Sequence, residues 1–235
     1  MRAAALLVAL LAPTAALAQA DQCHVPAIVP RPKIEGPDAR EPKRNIPIGG
    51  YTLALSWSPE YCRARRGSAA DRFQCGGGAR FGFVLHGLWP DGRGGQWPQY
   101  CRPAALLPDR VIRANLCATP SVQLLQHEYA KHGTCMNLTA DSYFRTSTGI
   151  YGKLRFPDMD SLSRRPRLSA RQFAEAFAAK NAGLDAAAIK VGINRKGWLE
   201  EVHICLNTAL RPQRCRASAQ GAQPGDIVRI WRGGR

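Results

Sequence analysis

The chain has 235 residues, a formal net charge of +16 and eight cysteines. This length can bury a substantial core and fits one domain of generous size. After the first twenty residues no stretch approaches the ~20 apolar residues of a membrane helix, so the sequence argues against a membrane-spanning protein. The excess of lysine and arginine, 33 against 17 acidic residues, makes a polyanion such as nucleic acid a plausible partner.

The N-terminus has the pattern of a secretory signal peptide. Arg2 gives a positive start, Ala3 to Leu11 is an apolar stretch too short to cross a bilayer, and Ala16-Leu17-Ala18 is a small-x-small cleavage site. We therefore expect residues 1–18 to be removed near Ala18 and the product to be exported, to the periplasm or beyond. An oxidising compartment suits an even number of cysteines joined in up to four disulfides. The chain has no C-x-x-C pair, which argues against a structural zinc site.

Two regions follow the predicted signal peptide. Residues 19–50 are expected to form an extended arm, because the segment from Val25 to Pro47 holds six prolines and few large apolar groups. Residues 51–235 are expected to form a single domain, since the candidate active-site segments and the cysteines spread through it without a linker. Within it, Gly67 to Arg80 is predicted to be a glycine-rich, basic loop with no phosphate-binding pattern.

The predicted elements of this domain are mixed. Tyr51 to Trp57 alternates apolar with small or polar residues, as a half-buried strand does. Phe81 to His86 reads as a second strand, with Phe81, Phe83 and Leu85 on one face and Val84 and His86 on the other.

Helices and further strands are predicted later in the chain. Pro120 to Lys131 suits a helix, and Ser169 with Gln172 is the capping-box pattern of another, which ends before Gly183. The apolar stripe of this second helix consists of Phe173, Ala174 and Phe177. Two further strands are predicted, over Trp198 to Leu206 and over Asp226 to Trp231. This mixture predicts an α+β domain.

Two short segments concentrate the chemistry of the chain: Phe83-Val84-Leu85-His86-Gly87-Leu88-Trp89-Pro90 and His127-Glu128-Tyr129-Ala130-Lys131-His132-Gly133-Thr134-Cys135. On a helix of about 100° per residue, with His127 as zero, Glu128, Lys131 and His132 fall at about 100°, 40° and 140°. All four side chains occupy less than half the circumference and can converge on one small ligand.

Phosphodiester cleavage by acid and base fits this cluster. RNA carries its own nucleophile, the 2′-hydroxyl, so one histidine can remove the 2′ proton while another protonates the departing 5′-oxygen. Lys131 can neutralise charge that builds on the phosphoryl oxygens. Such a mechanism needs neither a metal nor a cofactor.

A zinc site is the competing interpretation. The H-E-x-x-H pattern places its histidines four residues apart, whereas His127 and His132 are five apart and about 140° divergent. His86 could complete a three-ligand site, but Lys131 within the cluster would repel a cation. A nucleophilic pair of Cys135 and His132 is weaker still, because a thiol in an exported chain with eight cysteines is expected to be oxidised.

Aromatic side chains beside the first segment can hold a base. Trp89 follows His86 by three residues and Trp97 by eleven, and stacking a base on such a ring contributes about 1–3 kcal/mol. Asp91 can accept hydrogen bonds from an exocyclic amino group. The alternative for either tryptophan is a place in the core. The remaining histidines, His24 and His203, are expected to be surface groups or satisfied core groups.

L-H-G-L-W-P followed by H-E-x-x-K-H-G-T-C resembles the two active-site segments of the ribonuclease T2 family, the secreted transferase-type endoribonucleases. Leu53 to Cys62 also resembles the family's first strand and following cysteine, so the likeness covers about Tyr51 to Cys135. The resemblance implies an antiparallel sheet flanked by helices. It also implies cleavage of single-stranded RNA with little base preference, through a 2′,3′-cyclic phosphate to 3′-phosphate ends.

The resemblance further implies a role for each residue of the two segments. His86 would be the general acid, His132 the general base and His127 a phosphate contact. Glu128 and Lys131 would stabilise the pentavalent transition state. The family's first base pocket would correspond to Trp89, Asp91 and Trp97.

Family cysteine positions imply the disulfides Cys62–Cys75, Cys101–Cys135 and Cys205–Cys215, which leaves Cys23–Cys117. One departure from the family pattern is Tyr129, where tryptophan is common. Because the Tyr129 side chain points away from the part of the helix circumference that holds His127, Glu128, Lys131 and His132, we expect altered packing rather than lost activity.

The sequence thus predicts an exported, monomeric, metal-independent endoribonuclease that needs no cofactor and acts on single-stranded RNA. One alternative is a catalytically silent RNA- or polyanion-binding protein of the same fold, whose signature would be a lost catalytic histidine. Another is an exported zinc hydrolase.

Overall fold

The computed structural model describes residues 20–76 and 80–233, so the predicted signal peptide at 1–18 lies outside the described residues. A four-stranded antiparallel sheet of order β4-β2-β6-β5 forms the centre of the fold. Its strands are β2 (Ile48–Trp57), β4 (Phe83–Gly92), β5 (Ile189–Ile193) and β6 (Leu199–Leu206). The short strands β1 (Ala20–Gln22) and β3 (Arg80–Phe81) pair separately.

Helices flank this sheet, and the predicted α+β class is confirmed. Those of the described residues are α1 (Ser58–Tyr61), α2 (Arg72–Cys75), α3 (Asp109–Asn115), α4 (Val122–Lys131), α5 (Ala140–Tyr151), α6 (Met159–Ser163) and α7 (Ala170–Ala178). Short 3₁₀ turns span Cys62–Ala64, Gly133–Met136 and Ala186–Ala188.

Side-chain caps begin both predicted helices, α4 and α7. The Ser121 hydroxyl accepts the Leu124 backbone N–H and so caps α4, one residue inside the predicted start. Ser169 and Gln172 form the predicted reciprocal capping box of α7. The three apolar residues predicted for that helix are buried.

Two predicted elements, a strand and a loop, were wrong. Asp226 to Trp231 is not a strand, because its backbone makes only isolated bridges, Ile227 to Ser169 and Arg229 to Trp198 on two different segments. The predicted loop from Gly67 to Arg80 contains α2. Strand β5, which the sequence analysis did not predict, completes the far edge of the sheet against β6.

The predicted second strand continues past His86 to Gly92, and its face assignment holds only in part. Phe83 and Leu85 belong to the main core as expected. Phe81, however, packs with Val84 in a separate small cluster. The reason is the break at Gly82, which separates β3 from β4.

The core lies between one sheet face and the helices. Two tyrosines from α5 anchor the helices to β4: the Tyr151 hydroxyl donates to the Phe83 carbonyl at 2.7 Å, and the Tyr143 hydroxyl contacts the backbone of Leu88. Both rings are fully buried. Since side chains alternate along a strand, the opposite sheet face carries the polar residues.

The three disulfides that the family positions imply, Cys62–Cys75, Cys101–Cys135 and Cys205–Cys215, are formed, and so is the remaining pair, Cys23–Cys117. Within residues 20–76 and 80–233, no helix has the length and apolar character needed to cross a bilayer.

The proline-rich arm is held against α3 and against α4, which carries the start of the second segment. The Arg113 side chain of α3 donates to the carbonyls of Pro26 and Ala27. Further along, the Gln123 side chain of α4 exchanges hydrogen bonds with the Lys33 backbone. The arm therefore runs toward the C-terminal end of α4.

Candidate active site

A β-bulge places His86. Along the β2–β4 ladder Ala54 lies opposite Gly87, while Leu55 lies opposite Leu85, so His86 is the extra residue. Bulges re-aim a side chain and are frequent beside active sites. His86 therefore leaves the regular alternation of β4 and faces the end of α4.

The last turn of α4 supplies the second group of side chains. His127, Glu128 and Lys131 are helical, and His132 is the C-cap residue with φ −108° and ψ −49°. The Lys131 carbonyl accepts the Tyr100 backbone N–H at 2.9 Å, beside the Cys101–Cys135 disulfide. These bonds fix the end of α4 against the chain that follows the first segment.

Glu128 joins the two segments. Its side chain is 2% exposed. The Trp89 Nε1–H donates to its Oε2 at 2.8 Å, and its Oε1 lies 3.5 Å from His86 Nε2. Burial raises the pKa of Glu128 above its ordinary value, against the opposing charges of His86 and His127. The carboxylate of Glu128, from the second segment, thus contacts both the indole of Trp89 and the imidazole of His86 on β4.

Trp89 is packed among three imidazoles. Its ring centroid lies 5.0 Å from that of His86, 5.6 Å from that of His132 and 5.3 Å from that of His203. Its N–H is bonded to Glu128, and its ring lines the cavity together with these imidazoles.

Carboxylates hold two of the histidines. His86 Nδ1 lies 2.6 Å from Glu201 Oε1, and His127 Nδ1 lies 2.6 Å from Glu35 Oε2 on the arm. His132 differs: its Nδ1 is buried and has no hydrogen-bond partner among the described residues. The three imidazoles therefore lie in two types of environment.

The pKa values of His86 and His132 shift in opposite directions. Burial alone would lower the pKa of His86, but the hydrogen bond to Glu201 and the charges of Glu128 and Glu201 outweigh burial and raise it above 6.5. Burial, with the neighbouring Lys131, lowers the pKa of His132 well below 6.5. A site with one proton-bearing and one neutral imidazole can perform acid–base catalysis near neutral pH.

The arm also contributes to the site. Lys131 Nζ donates to the carboxylate of Glu41, whose other oxygen accepts the Tyr100 hydroxyl. Together with the Glu35–His127 pair, this contact places two arm carboxylates on two cationic or potentially cationic groups of the cluster.

The predicted base-binding residues line the same cavity of about 510 Å³ as the histidines. The Thr52 hydroxyl donates to Asp91 Oδ2 at 2.7 Å, and burial raises the pKa of Asp91. Trp97 is 42% exposed, with its N–H bonded to Gln99. The cavity thus pairs a carboxylate and a flat ring with the acid–base group.

This geometry coincides with a family match. The sequence profile described as "Ribonuclease T2 family" matches residues 48–215, well over half of the chain. The chain belongs to the Ribonuclease T2 family. The arm up to Pro47 lies outside the matched region.

Named relatives agree with the family. A "Ribonuclease" from Aeromonas hydrophila is 35% identical over 160 residues, which cover 67% of this chain and 71% of that protein. A "Probable ribonuclease" from Haemophilus influenzae is 36% identical over 125 residues, covering 48% of this chain but only 45% of the relative. The chain thus spans less than half of the latter protein. The family match and these relatives support a ribonuclease of the T2 type.

Solved structures of the family share the fold. Trichomaglin, described as "a novel S-like ribonuclease", superposes with a TM-score of 0.62 at 20% identity, covering 77% of this chain and 97% of its own. RNase NT, solved in complex with 5′-AMP, gives 0.60 at 21% identity, covering 78% and 98%. At this identity the likeness shows the fold alone.

The structure brings together all eight predicted catalytic and substrate-binding residues around one cavity. Tyr129, as expected, points away: it packs against Tyr143, and its hydroxyl donates to the Leu138 carbonyl. His24 is exposed, as expected, whereas His203 lines the cavity and was misassigned.

Sequence reasoning missed several other residues that line the cavity or contact its side chains. Glu201 and His203 reach it from β6, where their spacing of two residues puts both on the face opposite the core. That alternation beside Cys205 was the available signal. The arm carboxylates had none, because their contacts span about 90 residues of sequence. Further basic cavity residues are Lys190, Arg214 and Arg216.

A metal ion has one group of candidate ligands among the described residues. Ligand atoms of His127, Glu128 and His132 all lie within 4.8 Å of one another. The three ligand atoms approach one another despite the five-residue spacing of the two histidines, of which His132 is the C-cap residue. Lys131 on the same turn still places an ammonium beside any ion held there.

Proposed function

We propose that this protein is a metal-independent endoribonuclease that cleaves single-stranded RNA by transphosphorylation. The 2′-hydroxyl attacks the phosphorus to give a 2′,3′-cyclic phosphate, which water then opens to a 3′-phosphate. The observation that carries the proposal is that His86 and His132 line one cavity, with their ring centroids 5.0 and 5.6 Å from that of Trp89, and that Glu128 contacts both His86 and Trp89.

In the first step His132, the neutral imidazole, removes the 2′ proton. The O2′–P bond forms as the P–O5′ bond breaks, and His86 Nε2 gives its proton to the departing 5′-oxygen. The opposite displacements of their pKa values support this division of roles. In the second step the roles reverse, with His86 activating water and His132 protonating O2′.

His127, Lys131 and Glu128 would hold the phosphate during both steps. Lys131 compensates the negative charge that develops on the phosphoryl oxygens, and His127 contacts the same oxygens. The buried Glu128, whose pKa is raised, can share a proton with them. RNA must displace Glu35 and Glu41 from His127 and Lys131 to reach these groups.

Low base specificity is proposed for the pocket formed by Trp89, Asp91 and Trp97. An exposed indole stacks on any base because every base has a π-face. Asp91 adds one acceptor for an exocyclic amino group, which biases the pocket without closing it to other bases.

Export and a monomeric state complete the proposal. Four disulfides suit an oxidising compartment. We propose residues 1–18 as a signal peptide, and we end the arm predicted over residues 19–50 at Pro47, because the ribonuclease domain begins with β2 at Ile48. We also propose that the active protein is a monomer. Mass spectrometry of the exported product and light scattering test these points.

The deciding experiment incubates the purified protein with single-stranded RNA and excess EDTA, and identifies the products by mass spectrometry. We expect 2′,3′-cyclic phosphate ends that convert to 3′-phosphates. DNA and 2′-O-methyl RNA should survive because both lack the nucleophile. Activity that disappears with EDTA and returns with zinc would contradict metal independence. Bound RNA without any product would favour the catalytically silent alternative.

Single substitutions test the assigned roles. His86→Phe and His132→Phe should each lower turnover roughly 10²–10⁴-fold, the contribution expected of one proton transfer. His24→Phe is the matched control, because this exposed histidine lies away from the cavity. Binding of a 2′-deoxy oligonucleotide should change little in all three variants.

A further inference from the structure

Glu201 lies behind His86, on the side away from α4. Strand β6 pairs with β2, and in this register Glu201 lies opposite Ser56. Its Oε1 is 2.6 Å from His86 Nδ1, and the Ser56 hydroxyl donates to the same oxygen at 3.0 Å. Its Oε2 is 2.8 Å from His203 Nε2. One carboxylate therefore joins three adjacent strands through two imidazoles and a hydroxyl.

We propose that Glu201 is the positioning residue of the general acid: it accepts the Nδ1–H of His86 and so directs Nε2, the proton-carrying atom, at the departing 5′-oxygen. This inference rests on the proposed function, in which His86 is the acid. Glu201 itself touches neither the substrate nor the reacting atoms.

The geometry determines which ring nitrogen of His86 exchanges the proton. A carboxylate without a proton can only accept hydrogen bonds, so Nδ1 must carry a hydrogen to bond Glu201 at 2.6 Å. Nε2 is then left to gain and lose the proton, and it faces Glu128 Oε1 at 3.5 Å on the active-site side. This fixed tautomer prevents the ring from presenting the wrong nitrogen to the substrate.

Electrostatics keep Glu201 ionised. Burial opposes its charge, but hydrogen bonds to His203 and His86 outweigh burial and hold the pKa of Glu201 far below 4.5. The other charged or titratable groups that face His86 are Glu128, Lys131 and His132 from α4. Of these, Glu128 favours the protonated imidazole and Lys131 disfavours it.

During cleavage Glu201 keeps its charge and its hydrogen bond. The proton moves from His86 Nε2 to O5′ as the P–O5′ bond breaks, while His132 takes the 2′ proton. Replacing Glu201 by glutamine keeps the size of the side chain but removes the charge. The amide can bond Nδ1 in either orientation, so the tautomer and direction of His86 are no longer fixed.

A purely structural role for Glu201 would lower stability and affect all substrates alike. A positioning role affects only substrates whose leaving group needs a proton. The test therefore compares a dinucleoside phosphate, which releases an alkoxide, with uridine 3′-(4-nitrophenyl phosphate), which releases a stable phenolate. Glu200→Gln is the matched control, because the neighbouring Glu200 is exposed on the other face of β6.

We expect Glu201→Gln to lower kcat for the dinucleotide roughly 10–100-fold, part of the 10²–10⁴ that a general acid provides. KM should stay within about twofold and kcat for the nitrophenyl ester within about threefold, as expected of a lost acid function. The alkaline limb of the pH–rate profile should also move to lower pH, because the protonated ring loses its carboxylate.

Two outcomes separate this inference from the proposed function. If His86→Phe spares the nitrophenyl ester but Glu201→Gln slows both substrates equally, or behaves like Glu200→Gln, then Glu201 does not position the acid and the proposed function stands. If His86→Phe shows no dependence on the leaving group, the proposed acid role itself fails.

A second measurement needs no variant and so does not depend on folding of Glu201→Gln. Nitrogen NMR of the ¹⁵N-histidine-labelled wild-type protein reports the tautomer of each imidazole. Above the pKa of His86 we expect the Nδ1–H form for this ring, with a downfield Nδ1 proton. An Nε2–H form would overturn the proposal.

Discussion

The Cβ atom that Gly87 lacks would lie 1.8 Å from Oε2 of Glu128. It would also lie 2.8 Å from Trp89 Nε1, the donor that holds this carboxylate. The glycine between His86 and Leu88 is therefore required because a buried carboxylate from α4 occupies the space of its side chain. The absence of a side chain at Gly87 therefore lets the first segment pack directly against Glu128 of the second segment.

Gly87→Ala should consequently displace Glu128 and Trp89 together. We expect a loss of turnover of at least about 100-fold, since misplacing groups by about 1 Å is enough to cost that much. Gly82→Ala is the control on the same stretch, where the nearest atom to the new Cβ is a Trp57 ring carbon at 3.6 Å. Equal turnover in the two variants would contradict the steric argument. Thermal melting of both checks that folding is preserved.

The pH–rate profile of kcat/KM should be bell-shaped. Activity needs His132 neutral, and because its pKa lies well below 6.5, the acidic limb should rise at low pH. Activity also needs His86 protonated, and because its pKa lies above 6.5, the alkaline limb should fall only above that value. Initial rates on a dinucleoside phosphate from pH 3 to 9 measure both limbs. A profile that still rises through pH 6.5 would contradict the assignment of His132.

The Cys23–Cys117 disulfide joins the start of the arm to the second residue after α3, across 94 residues of sequence. Replacing both cysteines by serine should lower the free energy of unfolding by roughly 2–4 kcal/mol, because the unfolded chain is no longer constrained. Urea denaturation of the oxidised proteins measures the difference. The matched variant removes Cys205–Cys215, whose loop spans only 10 residues, and should lose less. The reverse order would contradict the chain-entropy argument.

The sequence predicted those features that depend on residues close together in the chain. The capping box of Ser169 and Gln172 acts within three residues, and it predicted the start of α7. The side chains of α4 share one turn, so their convergence followed from helical geometry. The bulge at His86 depends on register with β2, and no pattern within β4 itself reports it.

Contacts between distant segments were not predictable in the same way. Glu201 meets His86 across 115 residues and Glu35 meets His127 across 92. In each case the two partners lie on separate segments, and the contact becomes evident only once the strand order or the path of the arm is known. The disulfides were an exception because family positions, rather than physics, supplied the pairing.

The arm carboxylates lead to a final prediction. Glu41 bonds Lys131, so an incoming phosphate must compete with it for the ammonium. Glu41→Gln should tighten inhibition by inorganic phosphate about two- to fivefold at low ionic strength, the effect of losing one partly exposed ion pair. Glu175→Gln on the exposed face of α7 is the control for net charge. The difference should shrink in 1 M salt, because screening weakens exposed pairs. Unchanged or weaker phosphate inhibition in Glu41→Gln would show that Glu41 does not compete for the phosphate site.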